Sequence, residues 1–203
     1  MSPVDGFFQS VILALRRARI PILTFTFTYL LAVLVGIVMV HSGNDFALSS
    51  RDALVARAQR SHILQAFHEG NRLGAALLDF GGNSLAACAN TISGLSIIVP
   101  YPIAAYRGWV VGIVSVDSSH VSRLADPMDA FYYILTVVLQ LIPYSLAGGA
   151  GVNLGLSFIG PIPFYQGEKW LGLPKEAVRD VLRIYLVVVP LFLIASLWEF
   201  LAA

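Results

Sequence analysis

Hydrophobic positions in this chain run in long uncharged blocks broken by short polar segments. The first block, Ile20 to Val40, is about 20 residues long, enough to cross a hydrocarbon core, and predicts span one over 20–40. Pro21 suits its first turn, where a missing amide is no loss. Residues 1–19 ahead of it hold Arg16, Arg17 and Arg19 and are expected in the cytoplasm. A cleaved leader would have a shorter apolar core and a small-residue cleavage site, so this block reads as an uncleaved span.

The pattern then changes. Over 49–80, Ile63, Phe67, Gly70, Gly74 and Leu77 recur at spacings of three and four, with Arg57, Arg60, His68 and Arg72 between them. That periodicity predicts one amphipathic external helix, opened by a capping box at Ser49–Asp52 and ended by Gly81-Gly82. Span two follows at 83–103, bounded by Pro100 and Pro102. A piece at 106–117 is too short for a standard span and is either a short helix or re-entrant. Next come a polar loop, Asp117 to Asp129, and a glycine-rich span at 131–159 that Pro143 should kink. The last span covers 184–201. The predicted fold is an all-α integral membrane protein in a single domain, with about five transmembrane helices, one short or re-entrant, plus the amphipathic surface helix.

Composition agrees. Of the 203 residues, 57% are hydrophobic and 12% charged, and the mean hydropathy is +0.76, outside the range of soluble globular domains. The net charge of +1 gives no reason to expect nucleic-acid binding. Cys88, the only cysteine, reads as a buried small hydrophobe. Lys and Arg bias favours five crossings. The loop at 160–183 carries Lys169, Lys175, Arg179 and Arg183 and belongs inside, while Asp117–Asp129 belongs outside. The expected location is the cytoplasmic membrane of a prokaryote, multi-pass, with a cytoplasmic N-terminus.

The stretch Gln140 to Gly155 organises the rest. Ala147, Gly151 and Gly155 recur at i, i+4 and i+8 and align on one helix face, where small residues let backbones approach closely. Gly148 lies beside them, and Asn90 and Gly94 fall on a similar face of span two. Gly149 sits about 160° from Gly151, so a bulky residue there should be the milder change if that opposite face meets lipid. Asn83, Asn90, Gln140 and Asn153 are polar residues in or beside apolar runs, and Arg107 is a charge close to membrane depth. They either hydrogen-bond between helices or line a polar path, and Arg107 either anchors at the interface or lines a polar cavity. The acidic side chains read as outside the confident spans, which argues against a proton-coupled pump. His62 and His68 do not share a helix face, and no nucleophile–base set is visible, so neither a metal site, a cofactor nor an enzyme is expected.

The segment from Asn83 to Gly155 resembles the stage II sporulation protein M family. The residues that carry the likeness are Asn90, the run Arg107-Gly108-Trp109-Val110-Val111-Gly112, and Gln140-Leu141-Ile142-Pro143 leading to Leu146–Gly155. The chain departs from the family pattern where Arg107 replaces a frequent Asn and Gln140 a frequent Glu. Thr136 falls near a usual His. The resemblance implies a non-enzymatic membrane component; its named member resembles an anchor for peptidoglycan-degrading proteins during engulfment. Two functions are therefore expected from different classes. One is a membrane scaffold or assembly subunit, holding cell-envelope proteins or copies of itself through small-residue faces, among membrane lipids. The other is a small channel or transporter whose polar path follows the broken helix at 140–155.

Overall fold

The computed structural model describes residues 3–160 and 163–202. Eight α-helices make up most of it: α1 Pro3–Arg17, α2 Arg19–His41, α3 Asp45–Gln59, α4 His62–His68, α5 Arg72–Ser93, α6 Pro100–Ile113, α7 Pro127–Ile159 and α8 Lys175–Leu201. A two-stranded antiparallel hairpin, β1 Lys169–Trp170 and β2 Leu173–Pro174, precedes α8. The helices α2, α7 and α8 are long and apolar enough to cross a membrane.

Five helices run through one bundle in alternating directions. Thr24 of α2 meets Tyr101 of α6, and Met39 meets Trp109, so α2 and α6 are parallel. Asn83 of α5 meets Tyr144 of α7, and Thr91 meets Ala147, so α5 and α7 are parallel too. Ser196 of α8 reaches Asp79 of α5, while Tyr185 reaches Thr91, so α8 opposes α5. Arg17 bonds Asp180 at one end of the bundle, here the α1 end. Arg51 bonds the Val116 carbonyl at the other, the α3 end.

Several boundaries differ from the sequence-based expectation, each for a local reason. The single helix expected over 49–80 is three elements. Asn44 caps α3 by accepting from the Ala47 amide at 3.0 Å, so the chain turns helical before Ser49. Ser61 caps α4 through the Leu64 amide. Gly70, at φ +83°, and Asn71, which accepts from the Gly74 amide at 2.9 Å, restart the chain as α5. Gly81 and Gly82 end nothing. They lie inside α5, with open space where a side chain would project. The expected span at 83–103 is divided, because a 3₁₀ turn at Gly94–Ser96 and Ile97 at φ +60° break it. Pro100 then opens α6, which covers most of the expected 106–117 piece. At α7 the pattern was informative: Asp126 accepts from the Met128 and Asp129 amides, and Gly160 ends the helix in extended conformation. The last helix starts nine residues before the expected span, at Lys175.

Two glycine seams hold the bundle. Between α2 and α6, a Cβ on Gly108 would overlap the Tyr29 carbonyl, one on Gly112 the Val33 carbonyl, and one on Gly36 would meet the Trp109 carbonyl at 2.6 Å. Between α7 and α5, a Cβ on Gly151 would overlap the Thr91 backbone, and one on Gly155 the Gly94 carbonyl. Where lipid surrounds the bundle, such close approach provides the dispersion contact that hydrophobic exclusion cannot. The face of Gly149 is also occupied: its Cβ would meet the Ile22 backbone at 2.5 Å, and Gly148 lies against the Phe25 ring. The condition that this face meets lipid therefore does not hold, because α2 crosses α7 on that side. Cys88 is exposed on α5 rather than buried.

Candidate functional site

Three pairs of polar residues converge inside the bundle. Asp79 and Asn83 are i, i+4 on α5; Gln140 and Tyr144 are i, i+4 on α7; Ser196 and Glu199 are i, i+3 on α8. Each pair therefore shares a helix face. Asn83 Nδ2 donates to Asp79 Oδ2 at 2.8 Å, and Ser196 Oγ donates to the same oxygen at 2.7 Å. Tyr144 Oη donates to Asn83 Oδ1 at 2.6 Å. Gln140 Nε2 donates to Glu199 Oε2 at 2.5 Å. The Tyr132 hydroxyl donates to the Glu199 carbonyl at 2.7 Å, and the Trp198 indole donates to the Thr136 hydroxyl at 3.2 Å. Both carboxylates are thus met by neutral donors.

Arg107 of α6 joins this centre from the side. Its guanidinium carbon lies 4.3 Å from the Tyr144 ring centroid, a cation–π contact. Among the described residues it makes no ion pair. Tyr29, Arg107, Gln140 and Tyr144 line a groove of about 710 Å³ between α2, α6 and α7, with Val110 and Leu54 on its apolar walls.

A second polar network lies at the α1 end. Asp180 is 1% exposed. It accepts from Arg17 at 3.0 Å, from Arg183 at 2.7 Å and from the Tyr165 hydroxyl at 3.0 Å. Asn153 Nδ2 donates to the Tyr165 oxygen at 2.7 Å. Glu176 takes a further contact from Arg183 at 2.5 Å and from Arg17 at 3.4 Å. Burial pushes the Tyr165 phenol well above its ordinary range, and its bond from Asn153 opposes that shift.

At the α3 end, Asp52 pairs with Arg51 at 2.9 Å and with His120 at 3.2 Å. Asp117 closes its own loop, accepting from the Ser119 and Val121 amides at 2.8 and 2.9 Å. Those amide bonds hold its carboxyl below the usual range.

The residues singled out in the sequence fall in three places. Asn83, Arg107 and Gln140 come together in the central site. Asn153 belongs to the α1-end network, about nine helical steps from Tyr144, or roughly 13 Å along α7. Ala147, Gly151, Gly155 and Gly94 form the dry seam between these two, where the Thr91 hydroxyl donates to the Ala147 carbonyl at 2.9 Å. Asn90 stands apart, 3% exposed, with neither side-chain polar atom bonded. The polar residues thus form two separate clusters, not one continuous line. The small-residue faces expected to hold partners or copies are packed against the chain's own helices.

Sequence reasoning missed Asp79, Ser196 and Glu199. Asp79 was hidden by the surface-helix reading of 49–80, and Glu199 by its place near the end of the last apolar run. The i, i+4 spacing of Asp79 and Asn83 carried the signal, because it places two strongly polar groups on one helix face within a mostly apolar stretch. The expectation that acids lie outside the spans is corrected by Glu199, which sits within α8. Among the described residues no group of three or more His, Cys, Asp or Glu side chains is placed to hold a metal.

The family model for stage II sporulation protein M matches residues 24–201, and the chain belongs to that family. The match extends well beyond the 83–155 stretch on both sides. No curated protein and no solved structure matches the chain.

Proposed function

We propose that this chain is a non-enzymatic scaffold or assembly subunit of a prokaryotic cytoplasmic membrane, crossing it five times with α2, α5, α6, α7 and α8. The N-terminus is cytoplasmic in this reading, because the α1 end gathers Arg16, Arg17, Arg19 and the basic 160–183 loop. The main support is the pairing of polar groups within a dry, glycine-packed bundle. The central cluster and the α1-end network are separated by the Ala147–Gly155 seam, which leaves no room for even a methyl group. A transported solute would need those clusters joined. Since the seams are filled from within, partners would meet other surfaces.

One observation favours the transporter reading instead. Asp79 and Glu199 lie within the bundle, and Gln140, which bonds Glu199, lines a groove, an arrangement that carboxylates of cation pathways share. A single experiment weighs both. A full-length chain carries at Ala203 an enzymatic reporter active only outside the membrane, and is purified in mild detergent. The scaffold reading expects an active reporter and stoichiometric co-elution of an envelope protein. A silent reporter contradicts five crossings. Elution of the chain alone, with cation uptake after reconstitution, would favour transport.

A further inference from the structure

We propose that the groove between α6 and α7 is the docking site for a transmembrane helix of a partner protein bearing one carboxylate near mid-membrane, which pairs with Arg107. This rests on the scaffold reading and names the chemistry of its partner.

The depth of Arg107 carries the inference. Its neighbour Gly108 lies against the Tyr29 carbonyl. Tyr29 is ten residues from Arg19 and twelve from His41, the ends of α2. At 1.5 Å per residue that is about 15 and about 18 Å, close to the middle of a hydrocarbon core. The guanidinium reaches sideways over Tyr144, near the midpoint of α7, and so does not extend to either interface. A cation at that depth is costly unless an anion meets it.

Among the described residues, the two acids of the central cluster are held by neutral donors and form no ion pair with Arg107. Asp79 is taken by Asn83 and Ser196, and Glu199 by Gln140. The Tyr144 ring supplies a quadrupole, not a counter-charge. The groove lies open beside the charge, with Ile103, Tyr106 and Val110 along α6 and Leu54 of α3 closing one end. Tyr106 is 58% exposed, so no helix among the described residues covers this wall of α6. The missing partner therefore brings an apolar surface and one negative charge at the same depth. A lipid phosphate fits poorly. It sits at the edge of the core, about 15 Å away, and would have to be drawn inward. A side chain on a helix can be placed at any depth.

The full-length chain, with an acceptor dye on Cys88, is reconstituted in phosphatidylcholine vesicles with donor-labelled Leu/Ala peptides of about 23 residues carrying a central Glu, Gln or Leu. Energy transfer reports association. The Glu peptide is expected to associate about ten-fold more tightly than the Leu peptide. Arg107→Leu should abolish that preference, Arg107→Lys should keep part of it, and Arg107→Glu should transfer it to a Lys peptide. Thermal melting of Arg107→Leu at or above wild type shows that the loss is not unfolding. A Glu peptide no better than Leu or Gln, or a preference that survives Arg107→Leu, overturns the proposal. So does stabilisation of wild type, but not Arg107→Leu, by added phosphatidylglycerol without any peptide preference, which makes the groove a lipid site. The scaffold reading is separable. An envelope protein that co-elutes with wild type and with Arg107→Leu keeps that reading and removes the groove. Co-elution lost only in Arg107→Leu supports the groove, and no co-eluting protein in either removes the scaffold.

Discussion

The two interior polar networks use opposite chemistry for the same residue type. At the α1 end, Asp180 is surrounded by two arginines and a phenol. In mid-bundle, Asp79 and Glu199 meet hydroxyls and amides, while the nearby Arg107 stacks on a ring. The difference follows the side chains that the neighbouring helices bring. Arg17 of α1 and Arg183 of α8 face Asp180 and stay about a quarter exposed, which limits the desolvation cost of gathering full charges. Around Asp79 and Glu199, α5, α7 and α8 present amides and hydroxyls, and neutral donors satisfy a carboxylate without desolvating a second charge. One network fastens the ends of α1, α7 and α8 together. The other sets the register of α5, α7 and α8 against each other.

The sharpest break in this comparison is Asp180→Asn. The substitution keeps size but leaves Arg17 and Arg183 facing a neutral amide, with Glu176 as their remaining acid. Removing one partner of a buried pair costs roughly 3–5 kcal/mol; the partial exposure of both arginines puts the expectation at about 3 kcal/mol. Thermal and denaturant unfolding in detergent would measure it. A loss below about 1 kcal/mol, the size of a surface pair, would mean the network is solvated and the comparison fails.

The seam between the networks comes next in size. Gly151→Leu must push α5 from α7, and Gly149→Leu must push α2 from α7, because both prospective side chains collide with backbone. Each is expected to cost about 1–3 kcal/mol by overpacking. Gly82→Leu, in open space within α5, should be neutral or gain up to about 1 kcal/mol from helix propensity. Comparable losses in all three variants would show that these glycines serve backbone flexibility, not close approach, and would weaken the dry barrier between the two networks.

How much of this was legible in the sequence depends on whether a feature is local. The bounds of α7 were close, because the uncharged run from Phe131 is flanked by Asp126 and Gly160, whose capping and backbone effects act within a turn or so of its ends. The small face at Ala147, Gly151 and Gly155 was visible from spacing, yet what fills it was not, since Thr91 and Gly94 lie some 60 residues away. The central site was half visible. Asn83, Arg107 and Gln140 stood out as polar groups in apolar runs. Asp79 did not, because its neutral partner Ser196 comes from the far end of the chain. A carboxylate reads as surface until the helix that satisfies it is known. The start of α5 was lost for the same reason: Arg72 and Asp79 made 72–82 look external.

The smallest expected effect tests the mid-bundle half of the comparison. In Glu199→Gln the new amide oxygen still accepts from Gln140, so the interhelical bond between α7 and α8 survives. The change also removes a negative charge one turn from Ser196, which holds Asp79, so two like charges no longer share one interior. The variant should unfold within about 1 kcal/mol of wild type, with a melting temperature unchanged or raised. Glu199→Leu is the matched control. It removes the acceptor, leaves the Gln140 amide unpartnered, and should cost about 1–3 kcal/mol. Together they separate the hydrogen bond from the charge. If Glu199→Gln were as damaging as Asp180→Asn, the carboxylate would be stabilised by a positive charge, which no ion pair among the described residues supplies. A bound cation between Asp79 and Glu199 would then be the simplest source, and the transporter reading would overtake the scaffold.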